Sequence, residues 1–409
     1  MKVTDASAIV NEIYVEMTGK DAIDTIDNSN IVDIGTELQT FGNEKIYNKV
    51  VDRIGKLIVR NKQYTGKFLS ILRDGWEFGN ILQTLRVKTI EATTDPSYAP
   101  TNGATYSQDT FTKMDVVQKF FQDYDNFQLE YWRPTDQLWT AFNSMDEMTR
   151  FFSGVELAIQ MGLNKRLQGL AKLCITNMIA QTLYAEFPDA DYGDGSGNKA
   201  VNLLKLYNDE AAVDLTVANC RQSADFLRFA AKTINNYYDR IQDLSVLFNI
   251  DGEESFSRKE DITMVILSTF ANDIKYNLYN AENQFDFSLM ELPNYETVPY
   301  WQASGTDYDE ETLTQIKQTI KTFDDEGDED TETIDMTGIL AVMFDRNSCA
   351  INCERKKVTQ HYNANIDQYH FYDKYLGQYI NDFSENFIVF YIADPTESQN
   401  GEAVVQGGE

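Results

Sequence analysis

The chain has 409 residues, 42% hydrophobic and 12% aromatic, enough for a large core and for two or three domains. Its 65 acidic against 35 basic side chains give a formal charge of -30, which excludes a protein that grips nucleic acid by displacing counterions with Lys and Arg. Four Cys exclude a disulfide scaffold, and the absence of any long apolar run predicts neither signal peptide nor membrane span, hence a reducing cytoplasm as the place of synthesis.

Residues 1–43 are mixed and polar and read as an arm carrying one short helix, its apolar residues too sparse for a core of its own. Ile46, Val50, Ile54 and Leu57 or Ile58 then recur at helical spacing up to about Arg60. From Gly79 to Thr140 the texture turns to strand. "ILQTLRVKTIE" is followed by the turn-rich "TTDPSYAPTNGATYSQD" and by "NFQLEYW", in which Phe127, Leu129 and Tyr131 alternate with polar residues. These features predict a projecting two-stranded arm, which needs a partner surface because isolated hairpins are marginal in water.

Ser144 and Glu147 form a capping-box pattern before a long helix running to Tyr184, with a break expected near Gly162. Pro188 and "DYGDGSGN" end it in a flexible loop. Asp189 and Asp191 fit a calcium loop, but Gly193 and Ala200 occupy later ligand positions, so the spacing fails. A helix is expected at 219–247, a buried strand at "ITMVILS" and a helix capped by Ser268. Strands are expected at "DFSLMEL", "GILAVMF", "CAINCER" and, closing the chain, "NFIVFYIAD", with a soft tail after it. Between Phe323 and Asp335 lies "FDDEGDEDTETID", dense in carboxylates and free of basic residues, which reads as a solvated loop.

Catalytic signatures are missing from the sequence: it has no Walker loop, dinucleotide fingerprint, HExxH or GxSxG. The two His, His361 and His370, sit in a strand-rich aromatic segment with little material for a triad or metal site. Cys349 and Cys353 lack two further zinc ligands nearby and read as packing residues. No cofactor, metal or catalytic residue is therefore assigned. The abundance of acids makes a carboxylate pair for glycoside hydrolysis uninformative.

The order arm, helix, two-stranded projection, rod helix and mixed domain with a returning strand resembles the Hong Kong 97-type capsid fold of tailed phages. "VDRIGKLIVR", "KFFQDYDNFQLEYWRPTDQLWTAF", and "GILAVMFDRNSCAINCERKK" followed by "NIDQYHFYDKYLGQYINDFSENFIVFYIAD" resemble segments of major head proteins of small short-tailed phages. The resemblance implies an α+β fold with an N-terminal arm at 1–43 and the start of a P-domain at 44–78. It implies an E-loop at 79–140, a spine helix at 141–188, an A-domain at 189–365 (acidic loop 307–335), closing P-domain strands at 366–394 and a tail at 395–409.

The function so implied is assembly: a structural protein, not an enzyme, tiling an icosahedral shell around double-stranded DNA that it encloses without sequence-specific binding. Its partners would be further copies in hexameric and pentameric capsomers, with scaffolding, portal and head-fibre or other virion proteins, and no membrane. Its place would be the virion, after assembly in the host bacterial cytoplasm. Phe127, Leu129 and Tyr131 would cover a neighbour, and Arg53, Arg60, Arg73, Arg86, Lys88 and Arg133 would pair with its acids. Asp324, Asp325, Glu326, Asp328, Glu329, Asp330 and Glu332 would form an exposed acidic loop, or a cation site shared around a capsomer axis. Two other readings stay open: a minor capsid or decoration protein, and an acidic carbohydrate-active hydrolase with a scattered carboxylate site.

Overall fold

The computed structural model describes residues 3–27, 30–40, 71–72, 82–90, 92, 95, 97–98, 100–105, 114–121, 124–134, 143–193, 195–278, 295–302, 310–323, 329–366 and 368–395. The helix expected at 44–60, the strand "DFSLMEL" and the tail from 396 lie outside these residues. In chain order the elements are α1 (Val3–Thr18), α2 (Ile31–Gln39), β1 (Leu82–Val87), β2 (Val116–Phe121), β3 (Tyr124–Pro134) and α3 (Met145–Glu186). There follow β4 (Ala200–Asn202), α4 (Leu203–Ala211), α5 (Val217–Cys220), α6 (Ala224–Arg240), β5 (Ile262–Leu267), α7 (Ser268–Leu278) and β6 (Tyr295–Val298). The last are α8 (Glu310–Thr314), β7 (Ile316–Phe323), β8 (Glu329–Met336), β9 (Ile339–Asp345), β10 (Cys349–Asn363), β11 (Gln368–Asn381) and β12 (Phe387–Tyr391).

The chain divides into two compact units, one of residues 1–77, 124–173 and 351–379, the other of 78–123, 174–350 and 380–409. In the first, Val10, Ile13, Tyr14 and Met17 of α1 recur at i, i+3, i+4 and i+7, and so share one face. That face packs with Ile31, Ile34 and Leu38 of α2, with Met145, Met148, Phe152, Val155 and Ile159 of α3, and with Tyr369 and Phe371 of β11. Asn11 fixes the connection between the two helices, its Nδ2 donating to Ile23 O at 2.7 Å and its Oδ1 accepting from Ile23 N at 2.9 Å. The segment thus holds two helices where one short helix was expected, and its apolar residues join a core shared with α3 and β11 rather than forming one of their own. The apolar residues are few, but helical spacing gathers them onto one side.

Ser144 caps α3 as its pattern predicted, its Oγ accepting from Glu147 N at 3.2 Å. The helix then runs unbroken for 42 residues, about 63 Å at 1.5 Å per residue. The break expected at Gly162 is absent. Its glycine instead leaves room for Leu129, since a Cβ there would lie 3.2 Å from the Leu129 Cδ2. A three-stranded sheet in the order β10-β11-β3 completes this unit. Asp373 is fully buried on it, accepting from Arg355 Nε at 2.8 Å and from Tyr375 OH at 2.9 Å. Burial works against the Arg355 charge, and the Asp373 carboxylate more than offsets it.

The second unit is built on a five-stranded mixed sheet in the order β4-β12-β9-β5-β6. β5, β9 and β12 are buried at every position, which is why they read as continuous apolar runs. The closing strand β12 pairs antiparallel to β9 and parallel to β4 in this sheet, so it does not join the strand β11 that precedes it in sequence. The single helix expected at 219–247 is split, because Ser223 starts a new helix by accepting from Phe226 N at 3.4 Å, and α6 ends at Arg240. The glycine-rich loop is tied down, with Glu186 accepting from Asn198 N at 2.7 Å and pairing with Lys199 at 3.1 Å. Gly338, at φ +88°, turns the chain from β8 into β9, and a Cβ there would lie 2.1 Å from the Ile392 carbonyl oxygen.

Candidate functional site

β1 and β2 form an antiparallel pair whose register sets Leu85 opposite Gln118, Val87 opposite Val116 and Arg86 opposite Val117. Alternation therefore gives the pair two faces. Leu85, Val87, Val116 and Phe120, with Gln118, share one face, and these four apolar side chains are 50% to 62% exposed. Thr84, Arg86, Val117 and Lys119 share the other.

The second face is ionic. Arg86 donates from Nη1 to Ser384 O at 3.0 Å, and from Nη2 to Ser255 Oγ at 3.2 Å and Glu385 Oε1 at 3.3 Å. Lys119 pairs with Asp251 and, at 3.2 Å, with Asp382, while Lys88 beyond the end of β1 pairs with Glu253 at 3.4 Å. Burial raises the pKa of Glu385, partly offset by Arg86 and reinforced by Asp345 and Asp382. The arm is thus fastened to its own chain by charge on one side and presents hydrocarbon on the other.

This changes the assignment of the sequence-derived residues. The alternating segment "NFQLEYW" lies in β3, which pairs with β11 rather than with β1. Phe127 stacks on Tyr375 at 5.3 Å between ring centroids, Tyr131 stacks on Phe371 at 5.3 Å, and Leu129 packs at Gly162. All three serve the interior of the first unit, because their face of the sheet is the one turned to α3. Arg86 and Lys88 spend their charge within the chain. Arg133 stands opposite Tyr369 in the sheet register, and Arg53, Arg60 and Arg73 lie outside the described residues.

The acidic run is in part a strand. Glu329, Asp330 and Glu332 belong to β8, which pairs with β7 along its length, and Asp330 and Glu332 are exposed. Asp324, Asp325, Glu326 and Asp328 lie outside the described residues. Cross-strand pairing explains how so acidic a segment forms a strand: Lys317 stands opposite Asp335 and bonds it at 2.7 Å. That bond and one from Gln315 hold the Asp335 carboxyl below its usual range. Among the described residues no cluster of His, Cys, Asp and Glu could hold a metal ion, and no helix is long and apolar enough to cross a membrane.

Sequence reasoning missed Leu85, Val87, Val116 and Phe120. The alternation in "LQTLRV" and "VVQKFF" was visible, but both faces carry apolar residues, and only the ion partners of Arg86 and Lys119 show which face is covered.

The family model of Phi29-like phage major capsid proteins matches residues 7–391. Solved structures similar to the chain include the capsid of Staphylococcus phage Andhra, at 10% identity and TM-score 0.44 over 80% of this chain and 84% of that one. The mature capsid of bacteriophage PhiM1 is similar at 10% identity and TM-score 0.42, over 81% and 86%. The capsid of cyanophage P-SCSP1u is similar at 14% identity and TM-score 0.40, over 79% and 86%. No curated protein sequence matches. The family match covers nearly all of the described fold, and on it the chain belongs to the Phi29-like phage major capsid proteins and has a structural role in the virion capsid.

Proposed function

We propose that many copies of this subunit tile an icosahedral shell of the Hong Kong 97 type, as hexameric and pentameric capsomers, each copy laying the outer face of its β1–β2 arm on a neighbour. The observation that carries this reading is the apolar face of Leu85, Val87, Val116 and Phe120, left open while Arg86 and Lys119 on the opposite face are held in ion pairs within the chain. Apolar burial is non-directional and insensitive to charge, so it can hold together subunits that each carry a formal charge of -30. The same charge suits a wall around double-stranded DNA, which slides past acids without releasing its counterions. Assembly in the host cytoplasm with scaffolding, portal and head-fibre proteins belongs to the same proposal, as does the absence of any catalytic step.

The test is negative-stain microscopy of overexpressed protein with Leu85→Ser and Phe120→Ser together. Both side chains are more than half exposed, so the subunit fold stays intact by circular dichroism. Closed shells are expected from the native chain and none from the variant. Shells of normal yield from the variant would remove the arm from the interface.

A further inference from the structure

The second unit contains another open apolar surface. Ser245 and Ser255 exchange backbone hydrogen bonds, N to O at 2.9 Å and 3.0 Å, and so form a short antiparallel ribbon. In such a pair the two bonded residues point to one side and their neighbours to the other. Ser255 is buried and receives Arg86 of the β1–β2 arm on its hydroxyl. The ribbon's other side therefore carries Leu244, Val246, Glu254 and Phe256. The three apolar residues are 46% to 54% exposed. Arm and ribbon thus meet through their polar sides, Arg86 on the Ser255 hydroxyl and Lys88 and Lys119 on Glu253 and Asp251 of the ribbon's loop, and turn their apolar sides away from each other.

This is the reverse of ordinary amphipathic packing, in which hydrocarbon faces inward. Two apolar faces pointing in opposite directions on one subunit suit a head-to-tail contact, where each copy uses two different surfaces and the contact repeats around a ring. We propose that the ribbon face, Leu244, Val246 and Phe256, is the seat on which a second copy of this chain lays the outer face of its β1–β2 arm. The two faces match in kind, four exposed apolar side chains on the arm and three on the ribbon. The arm's outer face presents Leu85, Val87, Val116, Gln118 and Phe120, none of them charged, so it meets Glu254 without like-charge repulsion. The inference rests on the proposed use of the arm in assembly and specifies what the arm touches.

Two variants separate the two ideas. Leu85→Ser/Phe120→Ser removes the arm face, and Leu244→Ser/Phe256→Ser removes the seat. Each alone is expected to stay monomeric in sedimentation velocity, with the native melting profile. Mixed in equal amounts, they are expected to form a dimer and nothing larger, since the intact arm of the seat variant fits the intact seat of the arm variant and the chain of contacts ends there. Normal shells from the seat variant, or no dimer in the mixture, would overturn the seat while leaving the arm in the interface. Normal shells from the arm variant would overturn the use of the arm itself.

Discussion

Replacing Arg86 with Ala tests the ionic side of the arm in isolation from assembly. The change removes three donor contacts and leaves Glu385 without its cation. Breaking a fully buried pair costs about 3–5 kcal/mol, because one charge stays buried and unmatched. Here the side chains keep 30% and 16% of their exposure, so water screens part of the effect and about 2 kcal/mol is expected at neutral pH. The loss has a pH signature. Burial already raises the Glu385 pKa above the ordinary 4.5, so its protonated form favours the fold. That contribution is complete below the unfolded value and disappears as pH rises through the higher folded one. Without Arg86 the folded value rises further. The deficit of the variant against the native chain must therefore be largest near pH 7 and shrink towards pH 4.5, and Glu385→Gln in the variant background must restore part of it. Urea unfolding of the unassembled subunit, followed by tryptophan fluorescence at both pH values, reads this directly. A deficit under about 0.5 kcal/mol, typical of a surface pair, or one that ignores pH, would refute the reasoning.

Gly338→Ala places a Cβ in a left-handed backbone and against the Ile392 carbonyl, so a loss of about 2–3 kcal/mol is expected in the same unfolding assay, and a neutral result would show that the turn can move. Asp373→Asn leaves the Arg355 guanidinium buried without a carboxylate and should cost about 3 kcal/mol in thermal unfolding, with Asp373→Asn/Arg355→Met recovering part of it. Recovery failing in the double variant would mean that the pair sets the strand geometry rather than balancing charge.

Much of the second unit was legible in the sequence for a simple reason. "ITMVILS", "GILAVMF" and "NFIVFYIAD" are strands covered on both sides, so each is an uninterrupted apolar run bounded by polar residues. Ser144 was equally legible, because a cap is a local event. What failed was long-range. "NFQLEYW" has the alternation of a half-buried strand, yet nothing local says whether its partner is "LQTLRV" or a segment more than two hundred residues later. Arg86 shows the same limit: its acid partner Glu385 lies 299 positions away, so the sequence offered its charge without its neighbour. The N-terminal helices were undervalued because a core was sought within them, whereas their apolar faces close on α3 and β11.

The reversed polarity of the arm also governs how association responds to heat. Arg86, Lys88 and Lys119 are matched before any neighbour arrives, so closing the outer face breaks no ion pair and transfers hydrocarbon out of water almost alone. Such transfer has near-zero enthalpy at room temperature and a negative heat-capacity change. On the proposed reading, the contact is driven by the entropy of released water. Cold weakens it, excluded salts such as sulfate strengthen it, and simple salt helps twice by also screening the subunits' formal charge of -30.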